Sequence, residues 1–392
     1  MSKPEESKPK SSSQGGLMMW HGMTISGLLK LLSRGPNLHW SHLFRFLTLF
    51  PIVIYNSIMR GVESIFYGSR IKNTELVKPP IFILGHWRSG TTLIHNLMTS
   101  DPQFTCPTLY QTLFPHHFLL TETVAKKLTS ALVPKTRPMD NMAVSWDVPQ
   151  EDELALCVLC QISPYLNLAF PQKLDLFREH LDIEALPTDE QKRWKDALLY
   201  LLRKITVRNP KQVILKSPSH TYRVKTMLKL FPDAKFVYIY RNPFDVIKSA
   251  CHLRKKMIDN NTMGKSIYPD IQNDVLINYK TAITQYEADK QLIPEGNLHE
   301  IKYEELEVNP LEEMEKLYAS LQLENIQDMR SAVEPQVEKL KNYKKNKFEP
   351  DPCWEKEVYQ RCQEIYDLYS YPPPQIVLDD QTEKSPAEVP QK

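Results

Sequence analysis

The sequence predicts an α/β protein of three layers, with a central parallel sheet covered by helices on both faces and additional helices at the N-terminus. Three observations carry this. Short apolar runs, Ile81–Leu84, Val213–Leu215 and Phe236–Tyr240, and a fourth unit beginning near Leu298–Tyr303, are each followed by a helical pattern, and that alternation builds parallel sheets. The first and third runs are continuous rather than alternating, as strands buried on both faces are. Hydrophobic residues make up 42% and charged residues 24% of 392 positions, enough for a sizeable core.

Met1 to Gly16 is rich in Ser, Lys, Glu and Pro and reads as a disordered tail. No apolar run with a small-residue cleavage site follows it directly, so a cleavable signal is not expected and the location expected is cytoplasmic or membrane-peripheral. Residues 17–78 are helical and apolar in pattern. Within them, Phe46 to Met59 is strongly apolar between Arg45 and Arg60. That stretch is shorter than the roughly 20 residues a spanning helix needs. Pro51 and Asn56 are expected to interrupt it, so a packed or interfacial helix is favoured over a span. Trp40 and the basic flanks leave peripheral membrane contact through residues 37–60 open.

Pro79-Pro80 ends this region, because the residue before a proline is pushed off helical geometry. The strand at 81–84 follows, then a glycine-containing turn, then a helix with Leu93, Ile94, Leu97 and Met98 on one face. From about 120 to 205 the pattern is helical, with proline-rich connections at 134–149 and 164–171. The strand at 213–215 precedes a helix marked by Val224, Met227, Leu228 and Phe231. Behind the strand at 236–240, Asn242 is a good N-cap, Pro243 suits the first helical position and Asp245 suits the positive helix start. The last unit has its helix at Asn309-Pro310, where Glu312 approaches a capping box. One catalytic domain over 79–374 and a second polar tail at 375–392 are expected.

Lys and Arg number 49 against 47 Asp and Glu, a net charge of +2. That balance argues against nucleic-acid binding and makes any anion site local. The six cysteines are too sparse for a disulfide framework, and Cys157-x-x-Cys160 has no second ligand pair near it. Both are expected as buried free thiols, and no metal site is expected.

The most informative segment is Gly85-His-Trp-Arg-Ser-Gly-Thr-Thr92. Between a buried strand and a helix, backbone N–H groups and the helix dipole point at an anion. Gly85 and Gly90 allow close backbone approach, and Ser89, Thr91 and Thr92 add hydroxyl donors. Thr91 stands where ATP and GTP enzymes carry the lysine that reaches β- and γ-phosphates, and the cation is instead Arg88. A cradle without that lysine suits a donor lacking a γ-phosphate.

Arg88-Ser-Gly-Thr-Thr92 resembles the 5′-phosphosulfate loop of sulfotransferases that use 3′-phosphoadenosine 5′-phosphosulfate (PAPS), a family with a P-loop-like fold. Arg241, at a strand end, with Ser249 eight residues on, is similar to that family's 3′-phosphate site. From the residues alone, Arg241 leaves the carboxyl edge of a strand, where open α/β sheets bind ligands, or else forms a surface pair with Asp245. Lys216, in Ile214-Leu-Lys-Ser-Pro218, resembles the family lysine that meets the transferring group. The resemblance covers about residues 79–350. It implies transfer of a sulfuryl group from PAPS to a hydroxyl on a small-molecule, lipid or glycan acceptor. The implied donor site is Arg88, Ser89, Gly90, Thr91, Thr92, Arg241 and Ser249, and the implied catalytic set includes Arg88 and Lys216.

The catalytic base stays open among three places. Glu151, in Pro149-Gln-Glu-Asp-Glu153, ranks first; His116-His117 and His220 are the others. The family's basic C-terminal loop has its candidate in Lys339 to Lys347, which carries no glycine. A P-loop kinase or NTPase, and an inactive scaffold of the same fold, are the rival readings.

Overall fold

The computed structural model describes residues 17–36, 38–130, 145–340 and 349–378. Residues 341–347 of the basic run, the N-terminal tail and residues 379–392 of the C-terminal tail lie outside the described residues, whereas 375–378, expected as tail, are helical.

Five parallel strands form one sheet: β1 (Ile81–Leu84), β2 (Phe104–Thr105), β3 (Gln212–Lys216), β4 (Lys235–Tyr240) and β5 (Leu298–Lys302), in the order β2-β3-β1-β4-β5. The period of two sorts each strand between two cores. Ile81, Ile83, Ile214, Val237 and Ile239 face one helical layer, with Ile94, Leu97, Met98, Leu317 and Val333. Phe82, Leu84, Leu215, Phe236 and Tyr238 face the other, with Trp194, Leu198 and Leu202 of the helix Thr188–Arg208. These are the three layers expected. The two-residue strand β2 is too short to leave a pattern and was not foreseen.

The order puts β1 between β3 and β4. Its register pairs Ile83 with Lys216 and Leu84 with Tyr238. The carboxyl ends of three neighbouring strands therefore open at one edge, carrying the 85–92 turn, Lys216 and Arg241.

Asn242 caps the helix Pro243–Asn261, its side chain accepting from the N–H groups of Phe244 and Asp245. The capping box expected at Asn309 does not form: Asn309 precedes the helix Pro310–Ser320 without a side-chain cap. The chain arrives there from a further short helix, Tyr303–Val308, not from the strand itself.

The N-terminal region departs most from expectation. Leu49–Lys72 is one uninterrupted helix, and the stretch Trp40–Lys72 is long and apolar enough to cross a membrane by length and composition. Pro51 does not break the helix because it lies in the first turn, where a missing N–H leaves nothing unpaired. Asn56 is buried and donates to the carbonyls of His21 (2.7 Å) and Met23 (2.8 Å), so the polar residue fastens the preceding chain to the helix. Glu63, one per cent exposed, pairs with the wholly buried Lys204, whose Nζ also donates to the Pro115 carbonyl at 2.6 Å. Met18, Trp20, Met23, Leu28 and Val53 share a core with Phe244, Ile247 and Tyr279. Cys157 and Cys160 are free thiols; burial pushes the Cys160 thiol up to about 12.

Removing one partner of a buried ion pair strands the other charge and costs about 3–5 kcal/mol. Lys204→Met should therefore lower the unfolding free energy obtained from urea denaturation by an amount in that range. Adding Glu63→Leu in the same chain should recover much of the loss.

Candidate active site

The turn after β1 is a left-handed backbone cradle. Gly85 has φ +137° and Gly90 φ +110°; Arg88 is held at φ +74° between them. Side chains are excluded at both glycines. A Cβ at Gly85 would lie 2.5 Å from the Ile239 carbonyl oxygen, and one at Gly90 would lie 2.4 Å from the Tyr303 ring. The Ser89 hydroxyl closes the turn by donating to the His86 carbonyl at 2.8 Å. The Gly85 N–H donates to the Thr221 hydroxyl at 2.8 Å. Burial pushes the His86 imidazole down to about 4, so the ring under the turn is neutral, with Nδ1 donating to the Trp87 carbonyl. The helix Thr91–Ser100 starts at Gly90 with no side chain capping it. Its first N–H groups, those of Thr91 and Thr92 among them, lack intrahelical acceptors and face the edge where an anion would sit.

Arg88 and Ser249 meet: the guanidinium Nε donates to the Ser249 hydroxyl at 2.9 Å. Ser249 lies on Pro243–Asn261, the helix behind β4. Arg241 reaches the same region from the end of β4. Its guanidinium stacks over the Tyr303 ring at 4.4 Å, the ring that also blocks Gly90. One aromatic ring therefore stands between the 85–92 turn and Arg241. The Arg241–Asp245 pair considered from the sequence is present at 3.2 Å, yet the buried Nε of Arg241 has no hydrogen-bond partner. An uncapped helix start, a glycine cradle and an unused guanidinium N–H together suit an oxyanion-rich ligand.

Three adjacent acids join this edge to the helical region beyond it. Glu151 Oε1 accepts from Lys216 Nζ at 2.8 Å, with Lys216 two per cent and Glu151 18% exposed. Asp152 Oδ2 holds His220 Nε2 at 2.7 Å, both side chains wholly buried. Glu153 takes Arg223 through two bonds, 2.5 and 3.3 Å, and Arg223 also donates to the carbonyls of Leu181 and His180. Arg223 lies over the Trp194 ring at 4.9 Å. His220 thus sits in a closed pair with Asp152, without an exposed face. His116 and His117 are buried in the junction with the N-terminal helices, where His117 Nε2 donates to Asn56 at 3.0 Å and burial pushes the two rings down to about 3 and 4. Glu151 alone of the candidate bases retains exposure beside Lys216.

Sequence reasoning missed what orients Glu151. Its Oε2 accepts from the Tyr165 hydroxyl at 2.5 Å, and that hydroxyl in turn accepts from the Trp87 indole N–H at 2.9 Å. Trp87 and Tyr165 also line a cavity of about 60 Å³, open in part to solvent. Leu174, Leu253, Met257 and Val275 make much of its wall apolar; Arg178, Arg254, Asp274 and Asn278 are its polar members. The only hint in sequence was three acids leading straight into the apolar run Leu154–Leu159, where some of them must be buried and paired.

A family model described as "Sulfotransferase family" matches residues 79–328. An omega-hydroxy-beta-dihydromenaquinone-9 sulfotransferase from Mycobacterium bovis is 34% identical over 359 residues, covering 90% of this chain and 91% of that protein. The protein of that description from Mycobacterium tuberculosis gives the same figures. Among solved structures, a sulfotransferase from Mycobacterium avium superposes with TM-score 0.66 at 16% identity, over 90% of this chain and 92% of that one. Another, from Mycobacterium tuberculosis, gives TM-score 0.57 at 18% identity, over 83% and 88%. These superpositions show that the chain shares the fold of those structures. With an arginine-bearing cradle on β1, its guanidinium bonded to the helix after β4, and a relative matched over nearly the whole length, this chain belongs to the sulfotransferase family.

Proposed function

We propose that the chain moves a sulfuryl group from PAPS to a hydroxyl on an apolar, lipid-like acceptor. The observation that carries this reading is the Arg88–Ser249 hydrogen bond, with Tyr303 flanked by Gly90 and Arg241: both ends of one bisphosphorylated nucleotide find cations along a single edge of the sheet. Arg88, Ser89, Gly90, Thr91 and Thr92 would hold the 5′-phosphosulfate, and Arg241 and Ser249 the 3′-phosphate. The donor supplies an activated sulfuryl group. Its transfer resembles phosphoryl transfer, in which positioning and charge stabilisation dominate.

The chain's own part is to bind and neutralise charge and to accept a proton. Arg88 and Lys216 face the oxygens on which negative charge grows. Glu151 takes the acceptor proton, oriented by the Tyr165 hydroxyl on one oxygen and by Lys216 on the other. Tyr165, which bonds Glu151, lines a mainly apolar cavity, and that neighbourhood supports an acceptor with a hydrocarbon body and a terminal hydroxyl. The menaquinone derivative named for the mycobacterial relatives has that chemistry. The P-loop kinase reading loses ground because Thr91 stands in the lysine position.

Incubation of the purified protein with labelled PAPS and separated lipid and aqueous cell extracts tests the proposal. Label should appear in a lipid-fraction sulfate ester; label confined to glycans would overturn the acceptor class. Thermal stabilisation by ATP and magnesium, without any by adenosine 3′,5′-bisphosphate, would overturn the donor. Arg88→Ala and Lys216→Ala should each lower turnover about 10²-fold or more, with cooperative unfolding retained. Arg241→Ala should weaken calorimetric affinity for the bisphosphate by about tenfold, the scale of a charge-assisted pair. Glu151→Gln should lower kcat by about 10²–10⁴ while leaving bisphosphate affinity unchanged.

A further inference from the structure

The N-terminal helices carry an apolar face that the described chain leaves uncovered. Trp40 is 81%, Phe44 79%, Ile65 82% and Phe66 71% exposed. Leu47, Ile54 and Ile58 are exposed between them, and Leu29 joins from the neighbouring helix Ile25–Ser33. Leu47, Pro51, Ile54 and Ile58 follow at steps of four, three and four residues, so they form one stripe along the helix. An exposed apolar area of this reach marks an interaction surface.

Charge selects the occupant. From Leu17 to Lys72 the sequence holds Lys30, Arg34, Arg45, Arg60, Arg70 and Lys72 against a single acid, Glu63. Glu63 is buried on Lys204, whereas Lys30, Arg60, Arg70 and Lys72 are exposed. The surface is therefore apolar and tryptophan-bearing, with cations beside it and no exposed acid. A second copy of the chain would bring the same cations against these, whereas an anionic bilayer complements both properties.

We propose that this protein docks on anionic membranes through the exposed face of the helices from Ile25 to Lys72, with the long helix lying in the interface plane. The helix cannot cross the bilayer without unpacking. Leu49, Val53, Asn56, Glu63 and Ile71 are buried along its whole length, and the Asn56 bonds and the Glu63–Lys204 pair would break. The docking face is also anchored next to the acceptor cavity. Arg45 donates to the Asp259 carbonyl at 3.2 Å, His39 N–H to that of Met263 at 3.1 Å, and the Trp20 indole to that of Asn261 at 2.5 Å. These contacts hold the far end of the helix whose Leu253 and Met257 line the cavity. If the acceptor is lipid-like, as the functional reading has it, it leaves the bilayer close to where it is used; the docking itself does not rest on that reading.

Cosedimentation of the full chain with phosphatidylcholine vesicles, with and without phosphatidylglycerol, tests this with no turnover measured. The protein should bind the phosphatidylglycerol vesicles, bind pure phosphatidylcholine far less, and release as salt rises. Trp40→Ser with Phe44→Ser, and separately Arg70→Glu with Lys72→Glu, should each weaken binding about tenfold or more, with circular dichroism and bisphosphate affinity unchanged. Failure of the wild-type chain to sediment with anionic vesicles would overturn the proposal. So would variants that sediment equally well, or a stable dimer that the Trp40/Phe44 variant dissociates.

Discussion

The structure depends on a ladder of buried charge. Glu151, Asp152 and Glu153 stand in sequence at the start of an apolar helix, and each meets a basic side chain from the end of β3 or the segment that follows it: Lys216, His220 and Arg223. Consecutive helical residues fan out by about 100°, so three adjacent acids cannot be served from one direction. The segment Pro218–Tyr222 answers by wrapping as a short helical turn, offering partners at steps of four and three residues. Charges this deep are tolerated only when paired and hydrogen-bonded. The ladder therefore fixes how the helical half, with its cavity, sits on the sheet half, with its anion cradle. The outermost rung alone retains exposure, and it is the rung at which chemistry is proposed.

Much of this was legible beforehand for physical reasons. Strand runs buried on both faces leave continuous apolar signatures, so β1 and β4 were placed closely. Punctuation by glycine, proline and asparagine located the 85–92 turn and the Asn242 cap. Family likeness groups Arg88, Arg241 and Ser249 around one donor, but the direct Arg88–Ser249 hydrogen bond is not foreseen, because spacing along the chain says nothing of proximity across it. What stayed hidden depends on tertiary partners. Nothing in the sequence tells that Tyr165 will orient Glu151, or that Tyr303 will lie against both Gly90 and Arg241. Pro51 and Asn56 were misjudged as helix breakers because their meaning depends on position: one sits where its missing donor is harmless, the other is consumed by the carbonyls of His21 and Met23. Asn309 erred the opposite way, as a good capping residue that an intervening helix leaves unused.

The N-terminal helices are tied to the core rather than appended to it. Their buried side shares residues with the core around Phe244 and Tyr279, and their polar fastenings run to the helix that also carries Ser249. A single helix thus touches the glycine cradle near its start, the cavity at its middle and the N-terminal segment at its end. Burial of His86 under the cradle adds a further constraint, since a neutral ring there contributes packing without competing for the anion.

The placement of Tyr303 has one more consequence. A ring wedged between a glycine and a guanidinium behaves as a feeler gauge: the gap it fills sets how far the Gly90 turn stands from Arg241. On the donor-binding proposal, that fixed span would sort nucleotides by the separation of their phosphates.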